Sequence, residues 1–303
     1  MTYIKDFDQL GRGDVEEAGG KGANLGELTQ AGFHVPRGFV LTTAAYADFV
    51  EANGLGARIL ELATLPADAP QQDYDGAAHQ IRSLFSDRVM PPGIARELSE
   101  AYSRLGHALP DASGEDIPVA VRSSATAEDL ASASFAGQQD TYLNIRGAEA
   151  VAASVIACWA SLWNARAMAY RAREGLDPAT VRLAVVIQQM VESDSAGVMF
   201  TANPANGRRD QVVVSASWGL GESVVSGAVT TDDIVVDPAA GRILSRLTAD
   251  KEVMMAYSKD GTAEQPVPEP KRREPVLDDA AAAALARQGT AIAEHFAAPQ
   301  DIE

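Results

Sequence analysis

A single cysteine, Cys158, stands in 303 residues. No disulfide can form within the chain, and a reducing compartment fits. Its neighbours Ala157 and Trp159 suggest a buried structural thiol. Basic residues are also scarce, with 25 Lys and Arg against 42 Asp and Glu and a formal net charge of -17. That balance argues against general binding to nucleic acid or to an anionic membrane. No apolar run approaches the roughly 20 residues of a membrane span. The first residues, Met1-Thr2-Tyr3-Ile4-Lys5-Asp6, lack the apolar core of a signal peptide. These absences predict a soluble cytoplasmic protein with no nucleic-acid or membrane partner. Catalytic signatures are missing as well. There is no G-x-x-x-x-G-K-[ST] loop and no Gly-x-Ser-x-Gly elbow. None of His34, His79, His107 and His295 lies in a pattern with metal-ligand spacing, so nucleophilic catalysis by this chain alone is unsupported. The chain is nonetheless 46% hydrophobic and 22% charged, ample for a sizeable core and, by length, about two lobes or domains.

The stretch Val119–Asn144 organises the rest. The apolar run Ile117–Val121 has the length and β-branching of a buried strand and ends at Arg122. Small or hydroxyl residues follow, Ser123-Ser124-Ala125-Thr126, then Glu128 and Asp129, and later Phe135-Ala136-Gly137-Gln138. So little bulk lets backbone N–H groups approach an anion, and the planar Arg122 fork suits phosphate oxygens. The alternative is a Ser/Ala-rich surface loop with one exposed arginine, and composition alone favours it.

Elsewhere, Gly19-Gly20-Lys21-Gly22 opens a helical pattern, where a lysine at a helix start is either a phosphate contact or a solvated side chain after a turn. Thr43 is expected to cap a helix over Ala44–Ala52. Helical spacing marks Ala77–Phe85 and Gly93–Leu105, with Arg82, Arg88 and His79 read as surface groups. Ala148–Arg171 reads as one long helix whose apolar face holds Cys158, Trp159 and Trp163. Val181–Val191 reads as a central buried strand. Gln188 near its end either faces a base or pairs with a neighbouring strand. Ser195–Thr201 and Gln211–Ala216 are expected strands. A second glycine-rich loop, Ser217–Ser223, carries Glu222, either a metal or ribose contact or a turn carboxylate. Thr231–Asp237 forms an expected hairpin with Arg242–Leu247. Residues 249–276 look polar and irregular, and Leu277–Phe296 reads as an alanine-rich helix. The sequence stops at what reads as the start of a strand, so a longer natural chain is expected.

Seven motifs in order carry a resemblance over essentially the whole chain. They are Gly-Gly-Lys-Gly-Ala-Asn-Leu (19–25), Val-Pro-Arg-Gly-Phe (35–39), Ala-Val-Arg-Ser-Ser-Ala-Thr-Ala-Glu-Asp (120–129) and Ser-Phe-Ala-Gly-Gln-Gln-Asp-Thr-Tyr-Leu-Asn (134–144). Gly-Val-Met-Phe-Thr (197–201), Ser-Trp-Gly-Leu-Gly-Glu (217–222) and Pro-Gln-Asp-Ile-Glu (299–303) complete the set. Together they resemble the N-terminal ATP-binding domain shared by pyruvate phosphate dikinase, phosphoenolpyruvate synthase and rifamycin phosphotransferase. Residues 158–163, 183–190 and 299–303 look most like the rifamycin enzymes, with phosphoenolpyruvate synthase second.

The resemblance implies an α+β, ATP-grasp fold in which a lobe over residues 1–190 and a C-terminally truncated lobe over 191–303 clamp the nucleotide. It implies ATP and Mg²⁺ as cofactors. Carried over by position, Lys21 and Arg122 would hold phosphates, Gly137 and Thr141 would lie on the loop over them, Gln188 would face adenine, and Glu303 would ligate Mg²⁺. It further implies cleavage of ATP to AMP and phosphate. The β-phosphate would pass through a histidine on a separate C-terminal domain to a rifamycin hydroxyl or, in the second reading, to pyruvate. No candidate for that histidine, nor for the acceptor-binding domain, is found here, and without the strand expected beyond Glu303 nucleotide binding should be weak. The competing class is a stand-alone nucleotide-binding module without catalysis.

Overall fold

A computed structural model describes residues 2–108, 116–126, 140–258 and 261–303. The chain is a mixture of helices and antiparallel sheets, an α+β arrangement. It divides into two compact units, Met1–Met190 and Val191–Glu303.

In the first unit, five strands form one antiparallel sheet: β1 (Ile4–Asp6), β2 (Gly38–Leu41), β3 (Val119–Ala125), β4 (Thr141–Ile145) and β5 (Leu183–Gln189). Their order is β1-β2-β5-β3-β4. Strand β5 is central, and six of its seven residues are buried, which explains its nearly unbroken apolar sequence. Successive side chains alternate between faces. Phe39, Leu41, Val119, Val121, Leu183, Val185 and Ile187 point into the main core. That core is closed by α2 (Thr43–Ala52), α3 (Gly56–Ala63), α4 (Gln71–Phe85), α5 (Pro92–His107), α6 (Ala148–Ser161) and α7 (Ala165–Arg173). Val40, Ala184 and Val186 point the other way and pack with Phe7, Leu10 and Ala18, the last of these on α1 (Val15–Gln30). Helix α1 therefore covers the opposite face of the same sheet.

Two expectations for this unit need correction. The single helix over Ala148–Arg171 is two helices. Asn164 interrupts it by accepting a hydrogen bond from the Ala167 N–H at 2.8 Å, an N-cap that starts α7 afresh. The apolar spacing continues across the break because Trp159 and Trp163 both stay buried. Arg171, near the end of α7, is buried too. It donates to the Leu162 carbonyl at 2.6 Å, and its guanidinium carbon lies 5.1 Å from the centre of the Trp163 ring. Burial lowers its pKa to about 10. Thr43 is also not a cap. It is the first residue of α2, Thr42 holds the cap position without a side-chain bond, and the Thr43 hydroxyl reaches back to the Glu16 carbonyl at 2.9 Å.

The second unit contains another antiparallel sheet, of β6 (Ser195–Phe200), β7 (Val212–Trp218), β8 (Asp232–Asp237), β9 (Arg242–Leu247) and, after a further hairpin, β12 (Asp301–Ile302), in the order β12-β6-β7-β8-β9. Helix α9 (Asp279–Phe296) packs Ala282 and Ala286 against Met199, Val212, Val214, Ile234 and Val236. Asp278 caps it by accepting from the Ala281 N–H at 2.7 Å. A short helix, α8 (Glu222–Val225), follows β7.

Residues 249–276 are not irregular. They hold the hairpin of β10 (Val253–Ser258) and β11 (Gly261–Pro266). Neither strand has a buried face, so the alternation that marks a strand in sequence is missing. Lys251, just before β10, is fully buried with Asp232, their Nζ and Oδ1 atoms 2.6 Å apart. Asp232 also accepts from the backbone N–H of Ala249 at 2.9 Å and of Val276 at 2.8 Å. A buried ion pair survives only when its remaining hydrogen-bonding capacity is used, and here it pins both flanks of the hairpin to β8.

Candidate functional site

Register decides which side chains of the first unit share a surface. Arg122 pairs across β3 with Val186 on β5 and with Thr141 on β4. Gln188 pairs with Ala120 on β3 and with Gly38 on β2. Directly opposed residues of an antiparallel pair project to the same side. Thr141, Arg122, Ser124 and Gln188 therefore belong to the face that α1 covers. Arg122 and Thr141 are half-buried and exposed respectively, whereas Gln188 is only 8% exposed.

Helix α1 brings Lys21 to this face through a break in its own ladder. Gly19 has φ 68° and ψ 172°, far from helical values. A Cβ there would sit 2.1 Å from the Ser124 carbonyl oxygen, so only glycine fits. In an unbroken helix the Gly22 N–H would bond the Ala18 carbonyl. Instead, the Ser124 hydroxyl stands between them. It accepts from the Gly22 N–H at 3.1 Å and donates to the Ala18 carbonyl at 2.8 Å. The Glu16 carbonyl, another acceptor next to the break, is taken by the Thr43 hydroxyl. The helix thus restarts at Gly20 with Lys21 in its first turn, where the helix dipole favours anions. Lys21 is half-buried.

Electrostatics link Lys21 to the end of the small-residue stretch. Cys158 is buried and its pKa lies well above the usual thiol range. Burial is the main cause and Asp140 adds to it, while the Lys21 ammonium pulls the other way. The thiol lies 3.7 Å from the Val121 carbonyl and 3.8 Å from that of Asp140. It is a structural thiol beneath β3 and β4. Asp140 also accepts from the Tyr142 hydroxyl at 3.2 Å, and Arg82, expected to be a plain surface group, approaches it at 3.9 Å.

The remaining expected residues fall as follows. The Gln188 amide donates to the Pro36 carbonyl at 3.1 Å, a contact to the chain just before β2. Gly137, with Glu128 and Asp129, lies outside the described residues. Glu303 is exposed and directly follows β12 in the second unit. Its charge, after burial, helps raise the pKa of Asp301. Glu222 accepts from the Thr262 hydroxyl at 3.1 Å. Among the described residues no three His, Cys, Asp or Glu side chains converge as a metal site. The sequence reading missed the inserted Ser124 hydroxyl. Its only sequence signal is its spacing of two from Arg122, which puts both on one face of a strand.

Lys21, half-buried near the restart of α1, thus sits on the helix that covers the sheet face of Arg122. Comparison with known proteins identifies the family. Residues 15–303 match the family described as pyruvate phosphate dikinase, AMP/ATP-binding domain, and the chain belongs to that family. It is 44% identical over 303 residues to a probable phosphoenolpyruvate synthase of Methanothermobacter thermautotrophicus, covering all of this chain and 44% of that protein. It is 42% identical to the phosphoenolpyruvate synthase of Pyrococcus furiosus, covering 99% of this chain and 41% of that one. It is 41% identical to a rifampicin phosphotransferase of Streptomyces sviceus, covering 99% and 34% respectively. The chain thus spans less than half the length of these relatives.

Proposed function

We propose that this chain is the nucleotide-binding part of a dikinase-type phosphotransferase, built as an ATP-grasp whose two lobes are the two compact units. The observation that carries the reading is the common sheet face of Arg122 and Thr141 beneath a helix that restarts at Gly20 with Lys21 in its first turn. Phosphoryl transfer asks a protein mainly for positioning and for charge neutralisation. Arg122 supplies a planar two-pronged donor for phosphate oxygens, and Lys21 a mobile point charge beside the N–H groups of a helix start. Thr141 pairs with Arg122 from the neighbouring strand and would contact the phosphates beside it. Gln188 would present its remaining polar capacity to the adenine edge.

Mg²⁺ would be held by one carboxylate together with phosphate oxygens and water, the usual arrangement for this ion. Glu303 would be that carboxylate. That carboxylate would hold the ion, whose positive charge would help neutralise the triphosphate. The chain's own contribution is to orient the triphosphate and keep its charge compensated.

In the complete enzyme, ATP is cleaved to AMP and phosphate. The β-phosphate then moves through a histidine of another domain to a rifampicin hydroxyl. The likeness of residues 158–163, 183–190 and 299–303 to the rifamycin enzymes supports that acceptor. The second reading, with pyruvate as acceptor, is favoured by the 44% and 42% identities to phosphoenolpyruvate synthases. Incubating the complete enzyme and ATP with either acceptor decides between them. Phosphorylated rifampicin with release of AMP supports the first, and phosphoenolpyruvate supports the second. ATP left intact with both would overturn the dikinase reading.

A further inference from the structure

We infer that Ser124 is a positioning residue of the phosphate site: its hydroxyl acts as the N-cap of the restarted α1 and thereby sets Lys21 against Arg122. The inference rests on the nucleotide reading above and adds a residue to it. With Gly19 in the cap position, Gly20, Lys21 and Gly22 are the first three residues of the new helical segment. A cap side chain normally accepts from the N–H of the second or third of these. Gly19 has no side chain to do so, and none could be added, since Ser124 atoms lie 2.1 to 2.4 Å from where its Cβ would be. The strand therefore supplies the missing cap. Ser124 takes the third N–H, that of Gly22, and returns its own proton to the Ala18 carbonyl. Two of the backbone groups left by the break, the Gly22 N–H and the Ala18 carbonyl, are satisfied by one fully buried hydroxyl.

The geometry has a consequence for the ligand. Ser124 and Arg122 are two residues apart on one face of β3, and Lys21 is covalently adjacent to Gly22. One short hydrogen-bonded circuit thus fixes the helix carrying the lysine onto the strand carrying the arginine. Other devices that break helices, such as proline, would give the bend without this attachment. Ser124 touches no phosphate in this scheme; it acts through the placement of Lys21.

The test compares wild type with Ser124→Ala in three measurements on the complete enzyme: affinity for Mg-ATP, affinity for adenosine, and amide hydrogen exchange at Gly22. Adenosine lacks the phosphates and so reports the base pocket and general folding. The expected result is faster exchange at Gly22 and an ATP affinity lower by about tenfold or more, with adenosine affinity unchanged. A Ser124→Cys variant, which keeps a weak donor and acceptor at the same place, should fall between the two. Equal losses for ATP and adenosine would show a merely structural role and overturn the inference. So would unchanged ATP affinity, or unchanged exchange at Gly22. A wild type that binds ATP no more tightly than adenosine would instead sink the phosphate-site reading itself.

Discussion

Two glycine-rich motifs, Gly19–Gly22 in the first unit and Ser217–Glu222 in the second, each set a glycine at positive φ against a backbone carbonyl. A Cβ on Gly19 would lie 2.1 Å from the Ser124 oxygen, and one on Gly219 2.2 Å from the Met255 oxygen. In sequence the first offers a lysine at a helix start, either a phosphate contact or a solvated side chain, and the second a glycine-rich loop whose Glu222 is either a metal or ribose contact or a turn carboxylate. Their surroundings differ. Gly19 breaks a helix and leaves Lys21 at a fresh N-terminus over the face that holds Arg122. Gly219 instead joins the end of β7 to β10. It donates to the Asp194 carbonyl at 2.9 Å, while the Leu220 N–H takes the Met255 carbonyl at 2.8 Å. The Trp218 indole donates to the Lys271 carbonyl at 3.0 Å, and the Lys271 ammonium lies 5.2 Å from the centre of its ring. Packing alone explains the glycine of the second motif.

The contrast can be broken first at the scaffold of the second unit. Asp232→Ala would leave Lys251 charged and fully buried without its partner, and would strip acceptors from Ala249 and Val276. We expect a loss of about 3–5 kcal/mol in denaturant unfolding. A loss below ~1 kcal/mol would mean that the pair does not anchor the hairpin. Next come Gly19→Ala and Gly219→Ala. Each forces a side chain onto a left-handed backbone and into a carbonyl oxygen, so each should cost about 3 kcal/mol by the same measurement. The two should part in binding. At temperatures where both fold, Gly219→Ala keeps wild-type discrimination of ATP over adenosine and Gly19→Ala loses it. Equal discrimination in both variants would erase the distinction drawn here.

The smallest expected effect concerns Cys158. Its folded-state pKa is raised, chiefly by burial. The folded state therefore prefers the neutral thiol. This contribution to stability is complete below the unfolded thiol's value of about 8.5 and declines as pH rises above it. Wild type should lose stability faster than Cys158→Ala between pH 9 and 10, by about 1 kcal/mol. Labelling by a thiol reagent at neutral pH should require unfolding. Parallel stability curves and rapid labelling would contradict a buried structural thiol.

How much of this was visible in the sequence depends on where each signal lies. The start of β3 was legible because Val119–Val121 is short and apolar, but its continuation through Arg122 to Ala125 was not, because the small residues Ser123-Ser124-Ala125 read as a loop. Strand β5 and the burial of Trp159 and Trp163 were legible for similar reasons. The break at Asn164 was hidden because the apolar spacing runs straight through it. The β10–β11 hairpin was hidden because neither strand buries a face, and Lys251 because a lysine in a polar stretch reads as solvated until its partner, 19 residues upstream in β8, is known. The shared face of Lys21 and Arg122 depends on strand register and on a helix break, and neither is written locally. Only the order of the seven motifs pointed to a nucleotide. The acceptor is bound by other domains in the scheme proposed here, which is why these residues carry only a family likeness to it.

The most direct measurement is a double-mutant cycle in calorimetry, titrating Mg-ATP into wild type, Lys21→Met, Arg122→Ala and the double variant, with adenosine as control. If the two cations jointly hold the phosphates, each single change should weaken ATP binding by about 10- to 100-fold. The double loss should then differ from the sum of the single losses, with adenosine unaffected. Wild-type affinity for Mg-ATP in both single variants would contradict the central claim.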